Sequence, residues 1–460
     1  MAILFLALAG IFLVASGPLR SQWFAAPGFM TLLASVEFAI VPFYLFATNQ
    51  DQIDAGYLRT MVYLLVGFSA FWLACWFLRK PHLFIFSPQS HLTHPRVLGA
   101  AALLLLIGGA AKTILWRLGL IGYELATMQY SADVSLVGAF SAASQALQMA
   151  MVILAIEILG KRAPSYATRL LFVVSLVLCL GFGLVWGLKV DLLMPIFSLV
   201  ALLGIVRGRL PRLAWALPAF YLIMQPFMNA YRSNLNSGYA TQIGTADGLI
   251  SVLGKSFEDA ISGSRNSRGS HNASAFQTAS ERLSALALFH NVIELPSPDL
   301  LNGEEKVWMA PFYPFIPRPL WKGKPVFDKG HRMSEALGIG TANSENIPAI
   351  ADMYALGGVW AIPAGMFLWG AILQTYMNRI KGGLSERGLF FYLTTLIPIT
   401  TVSERDVVAL IGSAVETGCI VLFLSWLVYG GPLFSLSRGS REISGQRGAS
   451  CTPTKRFEKF

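Results

Sequence analysis

Charge is what this chain has least of. Only 13% of its 460 residues are Asp, Glu, Lys or Arg, 55% are hydrophobic, and mean hydropathy is +0.57. A soluble chain of this length needs far more charge to cover its surface, so the shortage excludes a soluble globular protein and leaves a polytopic membrane protein. Cysteine is scarce too. Cys75, Cys179 and Cys419 fall in apolar runs and Cys451 in the C-terminal stretch, with no C-x-x-C, which argues against a disulfide framework and against a zinc site. The first run, MAILFLALAGIFLVAS, lacks a basic start and an A-x-A cleavage site and reads as a retained span. No internal repeat of fixed period is visible.

What the chain does have is long apolar runs. About 20 apolar residues cross the hydrocarbon as a helix, and eleven stretches qualify: 1–17, 24–47, 57–78, 97–115, 136–159, 169–187, 190–206, 213–231, 347–374, 386–402 and 407–429. The expected fold is an all-α transmembrane bundle of about eleven spans with one large extracytoplasmic loop. Every second connection is basic: Arg20; Arg79, Lys80 and Arg96; Lys161 and Arg162; Arg207, Arg209 and Arg212; Arg379, Lys381 and Arg387. By the positive-inside rule these face the cytoplasm, with the N-terminus outside and the C-terminus inside, as an odd span count requires. The net charge of +10 is thus an orientation signal and does not imply nucleic acid. The divisions read as an N-terminal bundle over 1–232, an extracytoplasmic loop over 233–346, C-terminal spans over 347–429 and a basic, disordered cytoplasmic tail over 430–460.

The loop is the only long polar stretch. Residues 276–292 carry apolar positions near helical spacing, which predicts an amphipathic helix on the bundle or in the interface. Further on, Phe312 to Pro325 reads FYPFIPRPLWKGKP: four prolines, four aromatics and three cations in fourteen residues. Arg318, Lys322, Lys324, Lys329 and Arg332 face one acid, Asp328, whereas the rest of the loop is net acidic. Guanidinium forks and ammonium groups bind phosphate oxygens, and prolines hold the backbone that presents them. Phe312, Tyr313, Phe315 and Trp321 can seat at headgroup level or stack on sugar faces. The plainer reading of the same residues is an interfacial aromatic-and-cation anchor.

The phrases ERLSALALFHNVIELP, FYPFIPRPLWKGKP and NSENIPAIADMYALGGVWAIPAGM together resemble the bacterial O-antigen and exopolysaccharide repeat-unit polymerases of the Wzy type. There a polar loop ends in a phrase similar to IPR-x-x-W-x-x-KP, here Ile316, Pro317, Arg318, Trp321, Lys324 and Pro325. It leads into a span whose start carries an acid and a Gly-Gly pair, here Asp352, Gly357 and Gly358. GLKVDLL at 187–193 and NAYR at 229–232 are similar to the family's middle portion. The resemblance covers roughly 180–370. It departs from the family at Lys322, where a proline is usual.

The resemblance implies a glycosyltransferase of the inner membrane that moves a growing glycan from one undecaprenyl diphosphate to the terminal sugar of another lipid-linked repeat unit. It implies no cofactor and no metal. Its partners are the lipid-linked oligosaccharide, the bilayer and a chain-length regulator. Cations near the outer face would stabilise the diphosphate leaving group, and a base would take the acceptor proton. Arg318 and Arg232 are the first candidates for the diphosphate, followed by Lys324, Arg405 and Arg282, with Trp321 and Tyr313 as stacking surfaces. Arg232 and Arg405 read equally well as snorkelling span-end cations. The candidate bases are Asp352, Glu345 and His290, ahead of His331 and Glu404. Packed histidines and solvated loop acids are the commoner roles for such residues. Within spans, Glu37, Glu416 and Lys112 either line a polar cavity or pair for assembly.

Three other classes remain open. A lipid-linked oligosaccharide flippase would use Glu37 and Glu416 for proton coupling, though transporters commonly build on repeated halves. A ligase would share the cationic loop. A scaffold that regulates glycan length would not need that loop.

Overall fold

The computed structural model describes residues 26–40, 42–43, 55–79, 95–118, 120, 134–160, 164–187, 189–207, 220, 224, 226–228, 230–231, 234–235, 245–262, 285–316, 321, 324–325, 329–338, 347–379, 386–396 and 406–429. The helices are α1 (Ala26–Ser35), α2 (Ala55–Leu78), α3 (Pro95–Arg117), α4 (Val134–Ser144), α5 (Ala146–Gly160), α6 (Tyr166–Trp186) and α7 (Lys189–Arg207). They continue with α8 (Ala246–Ser262), α9 (Ala285–Glu294), α10 (Lys329–Ala336), α11 (Ala349–Arg379), α12 (Glu386–Phe391) and α13 (Val407–Tyr429). Wider π turns extend α1 over Val36–Ile40 and α12 over Tyr392–Leu396. No strand occurs among the described residues, so the all-α expectation holds there.

Six helices are long and apolar enough to cross a membrane: Gly56–Leu78, Pro95–Arg117, Ala139–Leu159, Tyr166–Trp186, Ala349–Asn378 and Val407–Val428. Each overlaps a stretch marked out by the sequence. Of the other five, 1–17 lies outside the described residues, and 24–47, 213–231 and 386–402 are described only in part. The stretch 190–206 forms a shorter apolar helix with Pro195 inside it. Five of the six turn large apolar side chains outward, among them Trp76, Leu106, Val177, Trp360, Phe423 and Trp426, while Ala139–Leu159 is mostly enclosed. So much exposed apolar surface is unfavourable in water and natural against lipid tails. The chain is a helical membrane protein.

The most extensive helix pairing among the described residues is α2 with α11, which run parallel. Tyr63 stacks on Tyr354 at 5.9 Å, and the Asn378 side-chain amide donates to the Leu78 carbonyl at 2.5 Å. Small residues set the approach: a Cβ on Gly370 would stand 2.5 Å from the Phe71 carbonyl oxygen, so only glycine fits there.

Helix α11 is broken. Gly357 is near-extended (φ −160°, ψ 24°) and Gly358 is left-handed (φ 65°, ψ −156°), a combination that a side chain would strain. A Cβ on Gly365 would lie 2.6 Å from the Met353 sulfur, although a straight helix separates positions twelve apart by roughly 18 Å. The residues from Ala349 to Leu356 are therefore a short half-helix, folded back alongside the span that follows.

The polar stretch folds back onto this end of the bundle. Helix α9 buries Leu286, Phe289, Val292 and Ile293 against α2 and α11. It covers the second half of the amphipathic pattern predicted over 276–292, and residues 276–284 lie outside the described set. The tail over 430–460 lies outside it too.

Candidate functional site

Helix α10 carries Lys329 and Arg332 one turn apart, so both point the same way. Each meets an acid brought by a different element. Lys329 Nζ lies 2.7 Å from Asp352 Oδ1, the two side chains 4% and 0% exposed. The other carboxylate oxygen, Oδ2, accepts the Val407 N–H at 2.9 Å. Asp352 thus ties α10, the half-helix and the first residue of α13 together. Arg332 pairs with Glu305 and also donates to the Leu301 carbonyl at 3.0 Å. A Cβ on Gly303 would stand 2.2 Å from both Arg332 and Glu305, so a side chain there would push the ends of that pair aside. The Asn302 amide donates to the Ala355 carbonyl at 2.9 Å and fixes this stretch to the half-helix.

These pairings revise the phosphate reading of the loop. Lys329 and Arg332 belong to the run of five cations, but their charges are matched by Asp352 and Glu305. A buried cation survives only when paired and hydrogen-bonded, and the partners come from elements 23 and 27 positions away.

Asp406 stands beside this cluster and was missed from sequence. Its Oδ1 accepts the Ala409 N–H at 2.8 Å, which caps α13. Burial raises its carboxyl above the ordinary range. The Ala409 amide opposes that, the neighbouring Asp352 charge adds to it, and Lys329 again works against it. The signal was available: an Asp directly before an apolar helix is a helix-start signature, here in the SERD turn.

His290 occupies a separate niche. It is 8% exposed, its ring stacks on Tyr57 with centroids 3.9 Å apart, and its Nδ1 lies 3.3 Å from the Thr60 hydroxyl. One turn on, Glu294 meets Arg59 at 2.5 Å across an exposed pair. The niche adjoins the first cluster through Phe289, which meets Tyr354 edge-on at 6.4 Å.

The aromatic–proline stretch lies against the flank of α13. Tyr313 is buried, stacks on Trp321 at 5.6 Å and accepts the Lys306 N–H on its hydroxyl at 2.9 Å. Lys324 Nζ donates to the Ile316 carbonyl at 3.1 Å, and its charge acts on Glu416 in α13. Lys112 bonds Asp191 of α7 at 3.3 Å and lies over the Trp186 ring at 4.6 Å. Glu37 lies in the π turn after α1. Arg318, Arg232, Arg405, Arg282 and Glu345 lie outside the described residues, as does Glu404.

Two groupings emerge at the end of the bundle where α11 and α13 begin. One is the buried Lys329–Asp352–Asp406 cluster. The other is Tyr313, Trp321 and Lys324 on the flank of α13. Together they can hold a proton and present positive charge within one region. Among the described residues, no group of His, Cys, Asp and Glu has the arrangement of a metal site. Comparison with known proteins gave no match to a family model, a curated protein or a solved structure.

Proposed function

We propose that the chain is a polysaccharide repeat-unit polymerase of a bacterial inner membrane, built on eleven spans with the 233–346 stretch outside and the C-terminus in the cytoplasm. The acceptor sugar hydroxyl attacks the anomeric carbon of the donor glycan. The bond from that carbon to the lipid diphosphate breaks, the diphosphate leaves with the electron pair, and a base takes the hydroxyl proton. No cofactor is needed for this balance. Arg318 and Arg232, with Lys324, Arg405 and Arg282, neutralise the leaving diphosphate, and Trp321 offers a ring to a sugar.

The observation that carries the reading is the packing of Ala310, Tyr313 and Trp321 against Val408 and Ile411 of α13, at the bundle end that also holds the Lys329–Asp352–Asp406 cluster. Proton-handling acids and phosphate-binding cations are what glycosyl transfer from a lipid diphosphate requires in one place. Both oxygens of Asp352 are engaged, which suits it to positioning Lys329. Asp406 joins Glu345 and His290 as a base.

The test is to delete the gene, restore it as wild type or as Arg318→Ala, and size the surface and lipid-linked glycans. Collapse of a long ladder to single externally exposed repeats, with Arg318→Ala matching the deletion, supports a polymerase. Single repeats retained on the cytoplasmic side indicate a flippase. Full-length polymer left on its lipid carrier indicates a ligase, and unchanged glycan in Arg318→Ala indicates a scaffold.

A further inference from the structure

Between Ser297 and Ile316 the chain forms three short 3-10 turns, Pro298–Leu301, Val307–Met309 and Tyr313–Phe315. They produce two faces. Leu301, Ala310 and Tyr313 point inward and are buried, whereas Trp308, Phe312 and Phe315 are 67%, 54% and 51% exposed. Three large aromatic rings facing outward from a polar stretch are costly in water.

Their depth follows from α13. The Ala310 carbonyl oxygen and Pro314 Cγ lie 3.4 and 3.7 Å from where a Cβ on Gly412 would stand. Gly412 is about 9 Å from the midpoint of that helix, inside the roughly 15 Å half-thickness of hydrocarbon about a centred span. The stretch therefore runs down the side of α13 instead of passing above it, continuous with an α13 surface on which Leu422, Phe423 and Trp426 are exposed.

The backbone supplies an independent argument. Irregular chain is tolerated at membrane depth only where its backbone is packed against protein, with its polar groups satisfied there. Here Met309, Ala310, Phe312 and Phe315 donate their N–H groups to the Lys306, Val307, Met309 and Phe312 carbonyls at 2.9 to 3.1 Å. Pro311 and Pro314 have no N–H to satisfy. The Lys306 N–H is taken by the Tyr313 hydroxyl and the Ile316 carbonyl by Lys324.

We infer that residues 298–316 form a lipid-facing wedge, inserted into the leaflet at the end of the bundle where α13 begins. Trp308, Phe312 and Phe315 meet the headgroup–acyl boundary, and the partner is the phospholipid leaflet itself. The inference stands on the membrane character of the fold and not on the polymerase reading.

The experiment uses the full-length protein in phosphatidylcholine nanodiscs, with and without acyl-brominated lipid. Subtracting the fluorescence of Trp308→Phe from that of the native protein isolates Trp308 among eleven tryptophans. A blue-shifted difference spectrum that loses most of its intensity to brominated lipid and little to aqueous iodide is the expected result. Quenching by iodide, alone or as strongly as by brominated lipid, overturns the wedge. A second readout does not depend on that ring: nitroxide labels at Phe312→Cys and Phe315→Cys, with the native cysteines replaced, should be more accessible to oxygen than to a soluble nickel chelate. The reverse order would also overturn it.

Discussion

Lys329 and Asp352 form a 2.7 Å ion pair with almost no solvent contact, and the same carboxylate accepts the amide of Val407. One acid therefore fastens a helix of the polar stretch, the half-helix before a glycine break and the start of the last span.

Removing one partner leaves the other buried and unmatched, which typically costs about 3–5 kcal/mol. Lys329→Met and Asp352→Asn should each lower the unfolding temperature in detergent strongly. The double variant should lose less than the sum of the two, because neither unpaired charge remains. Additive losses would show that the two side chains do not interact.

Gly303 and Gly254 offer a contrast at glycine. Gly303→Ala places a methyl 2.2 Å from Arg332 and Glu305, whereas nothing lies within 4 Å of a methyl on Gly254 in α8. Overpacking typically costs about 1–3 kcal/mol, while Gly to Ala inside an exposed helix gains up to about 1 kcal/mol. Thermal unfolding should move in opposite directions for the two variants.

The break in α11 makes a separate prediction. Gly358→Ala forces a side chain into φ 65°, ψ −156°, at a cost of about 1–3 kcal/mol. A variant that relieves the strain by straightening α11 would draw Asp352 away from Lys329 and Val407. Faster amide exchange at Val407 than in wild type is the expected signature.

Asp406 titrates in the unusual direction for a carboxylate. Its folded-state pKa is raised, chiefly by burial, so its contribution to stability is present in acid and is lost as pH rises through the raised value. Asp406→Asn keeps an oxygen for the Ala409 amide but cannot ionise. Its stability relative to wild type should improve as pH increases above the ordinary carboxylate range. Parallel curves at every pH would show that Asp406 does not titrate between the folded and unfolded states.

The spans were legible because crossing hydrocarbon demands a long apolar run, and such runs at α2, α3, α5, α6, α11 and α13 have no other use. The Gly-Gly pair was visible as well, though not that it bends a helix. Side-chain partners were not legible. Lys329 and Arg332 looked like free phosphate ligands because their acids come from other parts of the chain, and no spacing rule links residue 329 to 352. Helix α8 carried a legible signal, with Leu249, Ile250, Leu253, Phe257 and Ile261 at helical spacing, and was missed because it lies inside a polar stretch that reads as loop.

The shared carboxylate of Asp352 also makes the last span an instrument. Any change that separates Lys329 from its pair would leave Asp352 with an uncompensated charge beside Asp406 and a weakened hold on the Val407 amide. A disturbance in the polar stretch would thus reach the last span as a change in the seating of its first turn.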